Sequence, residues 1–323
     1  MDPPQNRRGG SPQPRQVPSP YNGYGRGENG RPKGGGGLGL GRLWVILDDI
    51  KFQHTVFALP FALMSSFLAA QGLPPLDKLG WILLAMVGAR SAAMAFNRMV
   101  DARYDRLNPR TQGWALPAGR IRLGQYLVFW LAAVLVFLYA CARLNPLALK
   151  LSPAALGILL FYSLTKRFTV FSHFFLGASL GIAPIGAWVA IREEISPESL
   201  ILGTAVTLWT AGFDLIYACQ DIDFDRQQGL FSWPARHGIG GALWLSRLLH
   251  LGMVGLLLLL AGLSPLRQFY LLGVLLVAAL LVYEHSLVKP SDLSRVNRAF
   301  FTVNGAVSLA LFGFTAIDCL WYF

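Results

Sequence analysis

The sequence predicts an all-helical integral membrane protein, and three observations carry that prediction. Hydrophobic residues fill 54% of the 323 positions and charged residues only 14%, with a mean hydropathy of +0.46, whereas soluble chains average about half and about a quarter. From about Leu43 onward, apolar stretches follow one another with short polar breaks, each near the roughly 20 residues that a helix needs to cross the hydrocarbon layer. The stretches are continuous, which excludes barrel strands, because a spanning strand alternates polar and apolar residues and is only about ten residues long.

Residues 1–42 come first. They hold 12 Gly, 7 Pro and seven Lys or Arg without an apolar run, so they cannot bury enough surface to offset the entropy of ordering. A disordered cytoplasmic tail is expected, and it lacks the apolar core of a signal peptide. Nine spans are then expected within 43–323, at about 52–71, 80–100, 122–142, 146–163, 170–190, 199–218, 242–262, 266–285 and 299–320. In the first of these, Gln53 and His54 lie at the inner end and Pro60 is expected to kink the helix.

Charge sets the orientation. With the tail inside, the inner loops carry Arg103, Arg106, Arg110, Arg120, Arg122, Lys166, Arg167, Arg226, Arg236, Lys289, Arg295 and Arg298, and the outer loops only Lys78, Arg143, Lys150, Arg192 and Arg267. Basic residues favour the cytoplasmic side, so the amino terminus is expected inside and the carboxyl terminus outside. The net charge of +11 is thereby read as a topology signal. No basic stripe with interleaved aromatics points to nucleic acid, and none is expected as a partner. Cys141, Cys219 and Cys319 show neither disulfide nor metal spacing.

The 17 acidic residues are few, and two groups of them sit at the inner ends of the second and sixth spans. At about 100° per residue, Arg90, Asn97, Asp101 and Asp105 fall on one helix face. In the second group Asp214, Asp221 and Asp225 share a face beside Tyr217, while Asp223 points about 200° away from Asp221. Like charges at helical spacing repel one another, so such faces persist where a cation neutralises them. Oxygen ligands without His or Cys favour a hard ion, and Mg²⁺ characteristically bridges a few carboxylates to substrate phosphates. The alternative is that these are solvated anions or ion-pair partners of Arg98, Arg103, Arg106 and Arg226.

The pattern Asn97-xxx-Asp101-xxx-Asp105 followed by Asn108-Pro109-Arg110-Thr111, and Tyr217-xxx-Asp221-xxx-Asp225 followed by Gly229-Leu230-Phe231-Ser232, resembles the UbiA superfamily of intramembrane aromatic prenyltransferases. KFQHTVFALPFAL, FYSLTKRFT and LPAG are similar to family blocks, and the likeness runs from about Lys51 to the end. It implies a nine-helix bundle around a polar cavity open to the cytoplasmic side and laterally to lipid. It also implies that Asn97, Asp101, Asp105, Asp221 and Asp225 hold Mg²⁺ and the diphosphate of a polyprenyl donor, with Lys166 and Arg167 gripping the diphosphate. Arg90, Tyr162 and Tyr217 would line the substrate cavity. Asp221 would act as a base or as a metal ligand, and Asp101, Lys166 and Arg167 would take part in catalysis beside it.

Two positions depart from the family pattern. Trp114 stands where a basic residue is common, and Ala102 follows Asp101 where 4-hydroxybenzoate transferases often have Arg, with Arg103 one place later. The implied reaction is polyprenyl transfer to an aromatic acid, foremost 4-hydroxybenzoate, for quinone synthesis in the cell inner membrane. A menaquinone-pathway enzyme acting on a naphthoate is the alternative within the family, and a secondary transporter with intramembrane carboxylates the alternative outside it. Oligomeric state stays open. Phe161, Phe171, Phe174, Phe175 and Trp209 are aromatics that could face a prenyl chain, and GLFSWPARHG is expected as an ordered inner loop able to cap the site.

Overall fold

The computed structural model describes residues 40–50 and 57–322. The tail up to residue 39, together with Lys51, Gln53 and His54, therefore lies outside the described residues. The order is α1 (Leu40–Asp49), α2 (Leu59–Ala70), α3 (Leu76–Leu107), α4 (Leu123–Leu144), α5 (Pro146–Thr165), α6 (Ser172–Arg192) and α7 (Pro197–Ala218). A 3-10 turn (Cys219–Asp221), α8 (Ile222–Gln227), α9 (Trp233–Leu263), α10 (Gln268–Leu287), a π-helical turn (Arg298–Val303) and α11 (Asn304–Tyr322) follow.

Eight helices among the described residues are long and apolar enough to cross a membrane, at the expected second to ninth spans. The first expected span, 52–71, is described only as α2, whose 12 residues reach about 18 Å of the roughly 30 Å needed. Pro60 sits in the first turn of α2 as it is described, a position that tolerates proline.

Local chemistry sets the boundaries. Asn145 caps α5 by accepting the Ala148 N–H at 2.8 Å, and Pro146 occupies the first turn. Ser196, just ahead of Pro197, and Ser199, in the first turn, bond reciprocally at the start of α7. The stretch read as a loop after the second acidic group is largely helical, because Ser232 caps α9 directly and Pro234 fits its first turn. α9 then breaks at Gly238, whose φ of 74° belongs to the left-handed region.

α7 runs through the core, with Leu202, Val206, Trp209 and Ile216 fully buried. α6 lies against it at close range. A Cβ on Gly177 would stand 2.3 Å from the Thr207 carbonyl oxygen, so only glycine lets the backbones approach there. Because neighbouring helices alternate in direction, the ends of α3, α5 and α7 and the starts of α4, α6 and α9 gather at one end of the bundle. The acidic groups are at that end.

Candidate active site

All ten residues singled out in the sequence line one cavity of about 370 Å³: Arg90, Asn97, Asp101 and Asp105 from α3, Tyr162 from α5, Lys166 and Arg167 after it, and Tyr217, Asp221 and Asp225 from the α7–α8 region. On α3, Asn97 Nδ2 donates to Asp101 Oδ2 at 2.8 Å, and Asp101 Oδ1 receives Arg167 Nη2 at 3.2 Å. Asp105 is buried, and its Oδ2 has no hydrogen-bond partner. Opposite, Lys166 Nζ lies 3.5 Å from Asp225 Oδ2. Desolvation pulls the Lys166 pKa down, but Asp225, Asp221 and Asp214 more than offset it, so the pKa stays above the ordinary lysine value and the ammonium is charged.

The second acidic group reaches the cavity by a different route from the continuous helix expected. α7 ends at Ala218 and a 3-10 turn intervenes before α8, so angles counted at 100° per residue do not hold across it. Asp214, Asp221 and Asp225 nevertheless line the cavity, whereas Asp223 is exposed. The carboxylates do meet cations, but their ion pairs are with Arg167 at Asp101, Arg110 at Asp221 and Lys166 at Asp225. Arg98 pairs with Asp49, Arg226 donates to the Ala235 carbonyl, and Arg103 and Arg106 are exposed.

Three residues to which the sequence assigned no site role line the cavity or touch a residue that does. Arg110, counted for topology and as part of the family pattern, donates from Nη2 to Asp221 Oδ2 at 2.9 Å and from Nη1 to the Tyr217 hydroxyl at 3.3 Å. His173, buried at the start of α6, faces Asp214 with 2.6 Å between Nδ1 and Oδ2. The Arg98 guanidinium lies 3.5 Å over the ring of Trp114. Trp114 thus brings a cation to its side of the cavity by stacking, at a position where a basic residue is common in the family. Phe161, Phe171, Phe174, Phe175 and Trp209 line neither this cavity nor the second one, and Trp209 is instead packed in the core. Phe57, Phe213, Tyr217, Phe300 and Phe301 form one aromatic wall of the polar cavity, and Tyr104, Trp114, Tyr162 and Phe224 line it elsewhere.

A second cavity of about 230 Å³ opens between α3, α4, α5 and α6. It is lined almost entirely by apolar side chains and shares Arg90, Met94 and Tyr162 with the polar one. An anion held among the bases and a long apolar chain could thus belong to one molecule.

Residues 58–306 match the model of the UbiA prenyltransferase family. The chain belongs to that family. It is 32% identical, over 78% of its own length and 85% of the relative's, to a 4-hydroxybenzoate octaprenyltransferase of Marinobacter nauticus. A UbiA homologue from Aeropyrum pernix, solved in its apo form, superposes with a TM-score of 0.75 at 35% identity, covering 82% of this chain and 98% of that one. A UbiA homologue from Archaeoglobus fulgidus, solved with DMAPP and Mg²⁺, gives a TM-score of 0.67 over 86% of this chain and 99% of that one; at 18% identity this likeness shows the fold alone. This UbiA-family chain is a multi-span membrane prenyltransferase, and its two aspartate groups face each other across a single cavity.

Proposed function

We propose that the protein transfers a polyprenyl group from polyprenyl diphosphate to 4-hydroxybenzoate, with Mg²⁺, at the cytoplasmic side of a cell inner membrane, as a step of ubiquinone biosynthesis. The observation that carries this reading is the pairing of cavities. Arg90, Arg98, Arg110, Lys166 and Arg167 supply cations, Asp101, Asp105, Asp214, Asp221 and Asp225 supply carboxylates, and an apolar annex opens beside them. A diphosphate with an isoprenoid tail has complementary chemistry.

The donor set fits Mg²⁺. Its members are oxygens, Asp105 has a buried oxygen without a partner, and an ion bridging a few carboxylates to a diphosphate needs no cage made by the protein alone. Among the described residues no three His, Cys, Asp or Glu side chains gather closely enough to hold a metal by themselves. Asn97, Asp101 and Asp105 on one wall and Asp225 on the other would each supply oxygens to Mg²⁺ bound together with the diphosphate. When bound, Mg²⁺ supplies neutralisation of the departing diphosphate. Lys166, Arg167 and Arg110 bind the phosphate oxygens, and the apolar helices exclude water from the reacting carbon. Asp221, which pairs with Arg110, would take a proton from the acceptor.

The test is purified protein in detergent with radiolabelled polyprenyl diphosphate and a panel of aromatic acids that includes 4-hydroxybenzoate and a hydroxynaphthoate. Labelled 4-hydroxybenzoate is the expected product, lost in EDTA and regained with Mg²⁺. Exclusive labelling of the naphthoate, or full activity in EDTA, overturns the reading.

A further inference from the structure

The last span opens with a π-helical turn, Arg298–Val303. Such turns are rare and concentrate at functional sites, because they give up regular helical hydrogen bonding to re-aim side chains. Here the irregularity is held from outside. Asn304, fully buried, donates from Nδ2 to the Ala299 carbonyl at 3.1 Å and to Glu284 Oε1 at 2.7 Å, and its Oδ1 accepts the Trp209 indole N–H at 2.8 Å. One amide thus fixes the turn against α7 and α10.

The turn brings two consecutive rings to the same cavity wall, Phe300 and Phe301. In a regular helix neighbouring side chains diverge by about 100°. The two rings meet edge to face at 4.6 Å. Phe300 also lies 4.2 Å from the ring of Tyr217, 5.2 Å from Phe213 and 5.7 Å from Phe57. Tyr217 accepts the hydrogen bond of Arg110, which in turn pairs with Asp221. The aromatic wall therefore begins where the charged cradle ends.

We propose that Phe300, with Phe301 beside it, is the ring face that stabilises the allylic cation during transfer. This rests on the prenyl-transfer reading above. In that reaction the allylic C–O bond breaks, its electron pair leaves on the diphosphate oxygen, and the carbon is left cationic. A ring carbon of the acceptor then forms the new C–C bond, and the displaced ring proton passes to a site carboxylate. Water or a free carboxylate next to the cation would trap it. An aromatic face attracts it electrostatically without forming a bond, most strongly where water is excluded. Simple packing explains a filled wall, but it does not predict sensitivity to the electron density of one ring.

The experiment varies that density at nearly constant shape. Phenylalanine, 4-fluoro-, 3,5-difluoro- and 3,4,5-trifluorophenylalanine are incorporated at position 300 of the full chain by one suppressor route. Transfer kinetics are then measured in detergent. The expected result is a stepwise fall in kcat reaching about 30-fold with three fluorines, a loss that matches a desolvated cation–π interaction, with the donor KM within about twofold because diphosphate binding does not use the ring. The same series at Phe269, which packs on Trp321 and Tyr322 at the other end of the bundle, should leave kcat unchanged. A flat series at Phe300, a change confined to KM, or an equal slope at Phe269 overturns the proposal. Activity of the chain carrying ordinary phenylalanine at 300 separates that failure from failure of the prenyl-transfer reading, which would leave this chain inactive as well.

Discussion

Asp223 and Asp225 are two positions apart and meet opposite environments. Asp225 is 1% exposed and faces Lys166 across 3.5 Å, while Asp223 is exposed and lines neither cavity. Substitution should separate them sharply. Asp101→Ala, Asp105→Ala, Asp221→Ala and Asp225→Ala should each lower turnover by about 100-fold or more, the scale of losing one group that stabilises charge at a reacting centre. Asp223→Ala should stay within about twofold, and a steady-state assay on protein of matched elution profile decides between the outcomes. Arg110→Ala should fall with the first set, because it frees Asp221 and removes a cation from the cavity in one change. The acids were legible in the sequence because carboxylates at intervals of four residues in an apolar chain demand neutralisation. Arg110 was visible in the motif, but its pairing was not, because it reaches Tyr217 across 107 positions and linear spacing says nothing of such a pair.

At the scale of elements, α1 is the largest departure from what the sequence predicted. Its ten residues make no run of spanning length and adjoin a glycine-rich stretch, so composition assigned their beginning to the tail. The structure docks it through Ile46 and Ile50, packed with Ala95, Ala115, Ile121 and Tyr126. Its buried Asp49 accepts the Ala115 N–H at 2.7 Å and the Tyr126 hydroxyl, and lies 3.7 Å from Arg98 Nε. Arg98 covers Trp114 and donates to the Asn97 amide oxygen at 3.4 Å, so α1 supports the first aspartate group from behind. Asp49→Ala leaves a buried guanidinium and two donors without their acceptor, and should cost about 3 kcal/mol, read as a drop in Tm in detergent. Deletion of residues 1–39 should spare transfer, whereas deletion of 1–50 should lower both Tm and turnover. The 3-10 turn at Cys219–Asp221 escaped the sequence for a related reason. Periodicity assumes one helix type, and a three-residue change of winding leaves the apolar pattern on either side intact.

For the whole molecule, eight of the nine expected spans were legible because membrane helices must satisfy their own backbone, which ties length and hydropathy directly to structure. What gathers the site at one end is the alternation of helix direction, and this makes the side of the membrane a question with one answer for every site residue. The inner loops implied by the fold carry twelve Lys or Arg against five in the outer ones, and basic residues near span ends stay on the cytoplasmic side. Asp101, Asp105, Lys166, Arg167 and Asp221 should then all face the cytoplasm, where an anionic diphosphate and a soluble aromatic acid are handled while the prenyl chain remains in lipid. Cys141, Cys219 and Cys319 are free and buried, so a background lacking them can report single introduced thiols. Arg106→Cys and Gln228→Cys, at the site end, should resist an impermeant maleimide added outside intact cells and react once the cells are opened. Glu194→Cys, exposed in the turn between α6 and α7, should react in intact cells. Labelling of the first two from outside, or protection of the third, would place the carboxylates on the far side from the cytoplasmic acceptor and overturn the assigned orientation. The cavity itself would stand, since its geometry depends on how the helices pack, the turn before α11 included, and not on which face of the membrane it opens toward.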